Sequence, residues 1–191
     1  MNNAAYKKLD YSLALISTVA DGKNFGCIIN SLHQVTSSRP PKFTLSLNND
    51  SATSAALKKS GVAAVTLLAQ DADEKIVNEF GYKSGRAVDK FASFPFETDA
   101  NGCPFLKDGM VSRLSLRVTE TVAIGSYTLF ICELTDAEVL ADDDCLTVKA
   151  LENRGKDAPP AAPVYHEVGP APGRKCPVCG HVRLDEPIPA D

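Results

Sequence analysis

The chain has 191 residues, 44% of them hydrophobic and 23% charged, a balance that suits one good core with a small appendage. A formal net charge of -4 argues against a nucleic-acid partner, which needs a basic face. No apolar run approaches the roughly 18 residues that span a membrane, and the start, MNNAAYKKLD, lacks the apolar centre of a signal peptide, so a cytoplasmic location is expected.

In chain order the first elements read as strands. YSLALISTV and NFGCIIN flank Asp21-Gly22, a dipeptide that favours the two-residue hairpin turn. After the polar stretch NSLHQVTSSRPP, KFTLSLN alternates apolar with polar residues, as a half-buried strand does. SATSAALKKSG predicts a helix, with Ser51 as cap, Lys58 and Lys59 in the last turn, and Gly61 closing it. VAAVTLL is short and wholly apolar, as for a strand covered on both faces. DADEKIVNEFG repeats the helix signals, acidic residues first and Gly81 last. LSLRVTETVAIG and YTLFICELTDAEVL, joined at Gly125-Ser126, predict a long hairpin. Many strands, one or two helices and no βαβ alternation favour a mainly β chain, an antiparallel barrel with helical insertions.

The composition changes near residue 153. Eight of the 12 prolines fall between Pro159 and Pro189, so residues 1–152 are expected to form the body and 153–173 an extended Pro-rich arm. Residues 174–191 then carry one CxxC knuckle, Cys176 and Cys179. Cys27, Cys103, Cys132 and Cys145 are scattered and read as unpaired buried thiols in a reducing compartment.

Three polar segments interrupt the elements: NSLHQVTSSRPP, SLNNDSATS and FGYKSGRAVDKF. Ser46, Asn48, Asn49, Ser51 and Thr53 place hydroxyls and amides beside a helix start, whose unpaired N–H groups favour a phosphate. Ser84-Gly85-Arg86 and Lys90 add a hydroxyl, a flexible backbone and two cations, the charge-assisted donors that a phosphomonoester takes. Solvated loops have similar compositions, so residue types alone leave this open.

DYSLALISTVADGKNFGCIINSLHQVTSSRPPKFTLSLNNDSAT, KKSGVAAVTLL, NEFGYKSGRAVDKF, GSYTLFICELTDAEVL and RGKDAPPAAPVY occur in the order found in one known family. The chain resembles the flavin reductase-like, FMN-binding split-barrel family over about residues 5 to 165, in particular flavoredoxins and the reductase half of high-molecular-weight rubredoxins. The resemblance implies a homodimer of split β-barrels with FMN at the subunit interface. It implies that Asn30, Ser31, Gln34, Val35 and Thr36 meet the isoalloxazine and ribityl chain. Ser46, Asn48, Asn49, Ser51 and Thr53 would hold the ribityl and phosphate end. Ser84, Arg86, Lys90 and Phe91 would complete the phosphate clamp and pack the ring, and the arm through Tyr165 would run near the flavin. No side chain is then required as nucleophile, because the redox chemistry belongs to the cofactor; His33 reads as a rim residue. Many relatives carry a histidine before TLFxxE, where this chain has Tyr127. NAD(P)H is an expected substrate of the family type, met on the Tyr127 side; the departure at Tyr127 favours the alternative, an FMN electron carrier without nicotinamide activity. A redox protein is an expected partner.

In high-molecular-weight rubredoxins the arm leads to two CxxC knuckles around iron; here KCPVCGHVRLDE supplies one. A tetrahedral zinc or iron site needs four ligands. Two chains sharing Cys176 and Cys179, a mixed site with His181 or His166, and a metal-free dithiol remain as alternatives.

Overall fold

The computed structural model describes residue 5 and residues 8–155. The Pro-rich arm beyond residue 155, Tyr165 and the knuckle at Cys176 and Cys179 lie outside the described residues.

Asp21 and Gly22 both take positive φ, 52° and 70°, and join β1 (Ala14–Ala20) to β2 (Lys23–Ile29) in the expected hairpin. β3 (His33–Gln34) and β4 (Lys42–Asn48) form a second antiparallel pair. Ser51 caps α1 (Ala52–Ser60) by accepting a 3.4 Å hydrogen bond from the Ser54 N–H, and Gly61 closes it at φ 69° with its N–H donating to the Leu57 carbonyl. β5 (Val62–Leu68) follows, then α2 (Glu74–Tyr82), capped by Asp73. Gly81, expected to end α2, instead lies inside it, and the chain turns extended at Lys83.

A two-stranded ribbon, β6 (Glu97–Thr98) and β7 (Pro104–Phe105), precedes the long hairpin of β8 (Met110–Ile124) and β9 (Tyr127–Val139). A third helix, α3 (Val148–Asn153), ends the described chain. The ribbon and α3 carry no periodicity that the sequence could reveal.

Seven strands form one antiparallel sheet in the order β2-β1-β5-β8-β9-β4-β3. β2 and β3 stand at its opposite edges, yet only residues 30–32 separate them in the chain. Such a link spans at most about 14 Å, so the sheet has to curl until its edges nearly meet. Ser31 holds this seam: its Oγ donates to the Ser46 carbonyl and accepts from the Ser46 N–H, each at 3.0 Å. The expected barrel is thus observed.

Alternating strand residues supply two cores. Ile16, Cys27, Ile29, Leu45, Leu47, Val65, Leu116 and Phe130 fill one side with Leu57 of α1. Leu13, Leu15, Ile28, Leu68 and Met110 fill the other with Ile76, Val77 and Phe80 of α2 and Leu151 of α3. Because β5 supplies residues to both, its sequence is apolar except for the buried Thr66. Cys27, Cys103, Cys132 and Cys145 are unpaired, and burial pushes the Cys103 and Cys132 thiols up to about 12, leaving them uncharged packing groups. Among the described residues no helix is long and apolar enough to cross a membrane.

Candidate functional site

The second and third polar segments, far apart in sequence, meet at the start of α1. No acidic residue occupies the first turn of this helix, so the positive end of its dipole has no carboxylate within that turn, although Asp50 stands just before the cap. Thr53 and Ser54 are buried within that turn, and the Ser54 Oγ has no hydrogen-bond partner. Beneath it, the Cys27 thiol of β2 lies against the side chains of Thr53 and Ser51, with Lys90 near enough to act on it electrostatically. Gly85 closes the group from the other side. A Cβ built there would stand 3.7 Å from the Ala52 Cβ and 3.9 Å from the Lys90 Cε. Gly85 therefore rests on the first residue of α1 and on the lysine stem.

Lys90 is only 5% exposed, and its ammonium donates to the Gly26 and Phe80 carbonyls, each at 3.1 Å. Phe80 lies in the last turn of α2, where carbonyls lack helical partners. The lysine thus caps α2 and ties it to β2. Two of its three N–H groups are engaged, and no carboxylate among the described residues forms an ion pair with it. Burial depresses its pKa below the usual lysine range, while Cys27 and Glu79 oppose that shift. Ser84 folds the loop locally, its Oγ accepting from the Arg86 N–H at 3.3 Å; Arg86 is exposed.

The first polar segment forms the seam and its rim. Asn30 is 3% exposed, and neither its Oδ1 nor its Nδ2 has a hydrogen-bond partner. A buried, unanswered amide costs about 1–3 kcal/mol, and a ligand edge with both donors and acceptors would relieve it. Gln34 donates to the Thr36 carbonyl at 3.0 Å, and the Thr36 Oγ1 accepts from the Lys42 N–H at 3.0 Å. Those bonds fix the rim and leave the Val35 side chain exposed. His33 is also exposed, its Nδ1 3.1 Å from the Ser31 carbonyl and Tyr11 edge-on to its ring.

Ser46 and Asn48 alternate with buried Leu45 and Leu47 on β4, so they face away from the barrel interior, in register with Leu129 and Tyr127 of β9. Tyr127 therefore shares a sheet face with two of the residues expected at the flavin. Asn49 and Phe91 are committed elsewhere. Asn49 binds the β8–β9 turn, and Phe91 is buried edge-on against Phe80 and Phe96 at centroid distances of 4.9 and 5.5 Å. Sequence reasoning did not point to Cys27 or Ser54 at this site; only the position of Ser54 in the first helical turn hinted at it. Among the described residues no three His, Cys, Asp or Glu side chains gather as for a metal.

Residues 6–151 match the sequence profile of the flavin reductase like domain. The chain belongs to the flavin reductase-like family. This family member is 31% identical over 169 residues to the ferric-chelate reductase (NAD(P)H) of Archaeoglobus fulgidus, covering 87% of this chain and 99% of that one. It is 27% identical to the high molecular weight rubredoxin of Moorella thermoacetica, spanning 100% of this chain and 86% of the relative. Its fold matches the FMN-binding protein from Thermus thermophilus with a TM-score of 0.63 at 21% identity, over 70% of this chain and 74% of that one. The flavin reductase HpaC complexed with NADP+ gives 0.64 at 18% identity, over 74% and 86%. The flavin reductase-like chain and these structures share a fold.

Proposed function

We propose that this protein is an FMN-dependent oxidoreductase of the flavin reductase and flavoredoxin type, carrying electrons from NAD(P)H or a protein donor to a flavin, a metalloprotein or a small acceptor. The observation that carries the reading is the meeting of an uncompensated helix start, the Gly85 loop and buried Lys90 beside a barrel seam where the Asn30 amide has no partner. When bound, FMN supplies hydride or one-electron transfer, and the chain supplies binding, orientation and access.

The N–H groups of the first α1 turn, the hydroxyls of Ser51 and Thr53, the Ser84–Arg86 loop and the remaining N–H of Lys90 receive the phosphate. Asn30 answers the polar edge of the ring or ribityl chain, with Gln34, Val35 and Thr36 as rim. Ser46, Asn48 and Tyr127 line the outer sheet face, Tyr127 on the side met by a nicotinamide. A second copy of this chain covers that face. Val122 and Ile124 are 45% and 53% exposed there, and Leu129 and Ile131 are half-buried beside them. The four unpaired thiols among the described residues fit a cytoplasmic setting.

The test is direct. Purified protein supplied with FMN should retain about one flavin per chain, judged by its visible spectrum, and NADH or NADPH should bleach it anaerobically. Bleaching by dithionite but by neither nicotinamide would leave the electron-carrier reading. Folded protein that stays colourless with excess FMN would refute both.

A further inference from the structure

We infer that Asn49 is a positioning residue, and that through it an anion bound at the start of α1 orders the β8–β9 turn and Tyr127. The inference rests on FMN occupying the proposed site, but it removes Asn49 from the cofactor's own contacts. The hydrogen bonds of Asn49 point away from the helix start. Its backbone N–H donates to the Ser126 carbonyl at 2.8 Å, and its Nδ2 donates to the Gly125 carbonyl at 3.4 Å. Its Oδ1 accepts from the Thr128 Oγ1 at 2.6 Å and from the Lys58 Nζ at 3.1 Å. The amide thus grips both sides of Tyr127 and the later part of α1.

The link to the helix start is equally short. The Ser51 N–H donates to the Asn48 carbonyl at 3.0 Å, and the Asp50 N–H donates to the Asn48 Oδ1 at 2.9 Å. Residues 48–51 therefore form one tight turn whose end is the cap of α1. Asn48 also stands opposite Tyr127 in the β4–β9 register. An anion received by the first N–H groups of α1 restrains this turn, and the turn carries Asn49. The tip is held from one side: β4 pairs with β9 up to Tyr127, whereas β8 loses β5 after Arg117 and, past the Val118 N–H bond to the Gly61 carbonyl, is hydrogen-bonded along its strand to β9. Ordering supplied from Asn49 adds to that ladder at the turn itself, through Gly125 and Ser126, and so tightens how Tyr127 is presented on the outer face. Loading at one end of the site and access at the other become coupled by a shared restraint.

Amide hydrogen exchange across residues 124–130, with and without FMN, tests the coupling in the wild-type chain and in Asn49→Ala and Asn49→Asp. In the wild type FMN should slow exchange at this turn severalfold. Asn49→Ala should still bind FMN and protect the first turn of α1, yet lose the FMN-dependent increment at 124–130. Asn49→Asp keeps the acceptor for Thr128 and Lys58 and should recover most of it. A merely structural bond would lower protection equally with and without FMN. An increment that persists in Asn49→Ala, or never appears in FMN-loaded wild type, overturns the inference and leaves the proposed function standing. Wild type that takes up no FMN overturns both.

Discussion

A lysine ammonium buried against two backbone carbonyls, without a carboxylate partner, is a costly group to leave uncompensated. Because burial lowers the Lys90 pKa, the folded, cofactor-free protein releases this proton at a pH where the unfolded chain still holds it. Between the lowered value and the ordinary lysine value of 10.5, stability therefore rises with pH. In the proposed site a phosphate dianion restores the charge, so FMN binding should take up a proton in that window and FMN affinity should fall as pH rises through it. Riboflavin, lacking the phosphate, controls for titration of the ring. Lys90→Met should lower the preference for FMN over riboflavin by about 10- to 100-fold, some 1.5–3 kcal/mol, and flatten its alkaline dependence. Fluorescence titrations from about pH 7 to 10 read both. Burial pushes the Cys27 thiol up, the opposite direction, but a thiolate there would also repel phosphate at high pH, so Cys27→Ser, which should keep the dependence, separates the two groups. Parallel FMN and riboflavin curves would remove Lys90 from the phosphate. Residue type announced a cation in this loop; that two carbonyls hold it, and that Phe91 packs inward beside Gly26, depends on partners distant in sequence.

At the scale of elements, the β6–β7 ribbon is fastened to β8 and β9 by one polar network. Nearly buried Arg113 donates to the Ser115 Oγ at 2.6 Å, to Asp136 at 2.6 Å and to Glu138 at 3.2 Å, and stacks over the Phe105 ring at 5.2 Å. Ser115 donates in turn to Asp99, at the start of the ribbon's turn, at 2.5 Å. The Arg113 guanidinium holds the Asp136 carboxyl below its usual range. This contribution is complete above the ordinary aspartate value of 3.8 and is lost as pH falls through the lower folded value. Arg113→Met should destabilise the fold by about 2 kcal/mol near neutral pH. In urea unfolding, the gap from wild type should narrow below about pH 4 as Asp136 protonates in both. A gap independent of pH would assign the loss to packing on Phe105. The elements legible in the sequence were those with local chemistry: Asp21-Gly22, the Ser51 cap and Gly61 carry their own geometry. Gly81 misled because the Phe80 carbonyl, which a glycine stop would help satisfy, is answered by Lys90 from outside the helix. Two-residue strands such as β6 and β7 present too little pattern to read.

At the scale of the molecule, the proposed second copy makes the outer sheet face an interface. Exposed apolar residues in one contiguous row are what a protein partner covers. Ile124→Glu should give a monomer by sedimentation with unchanged far-ultraviolet circular dichroism, and FMN affinity about tenfold or more weaker, since the partner closes the site. A variant that remains dimeric would move the interface elsewhere. The barrel was legible as strands in sequence, and its family as motifs in order, whereas the seam emerges only when the sheet order is known.

That order also dictates when the site can exist during synthesis. β4 reaches the rest of the sheet only through β9, about eighty positions downstream in the chain. A nascent polypeptide that has left the ribosome through α2 already contains the proposed flavin contacts of the seam, β4 and α1, but not the Ser84–Arg86 loop, Lys90 or Tyr127. It has nowhere to seat them until the long hairpin arrives. Translation and cofactor capture are thereby separated in time, and truncated products are barred from sequestering flavin.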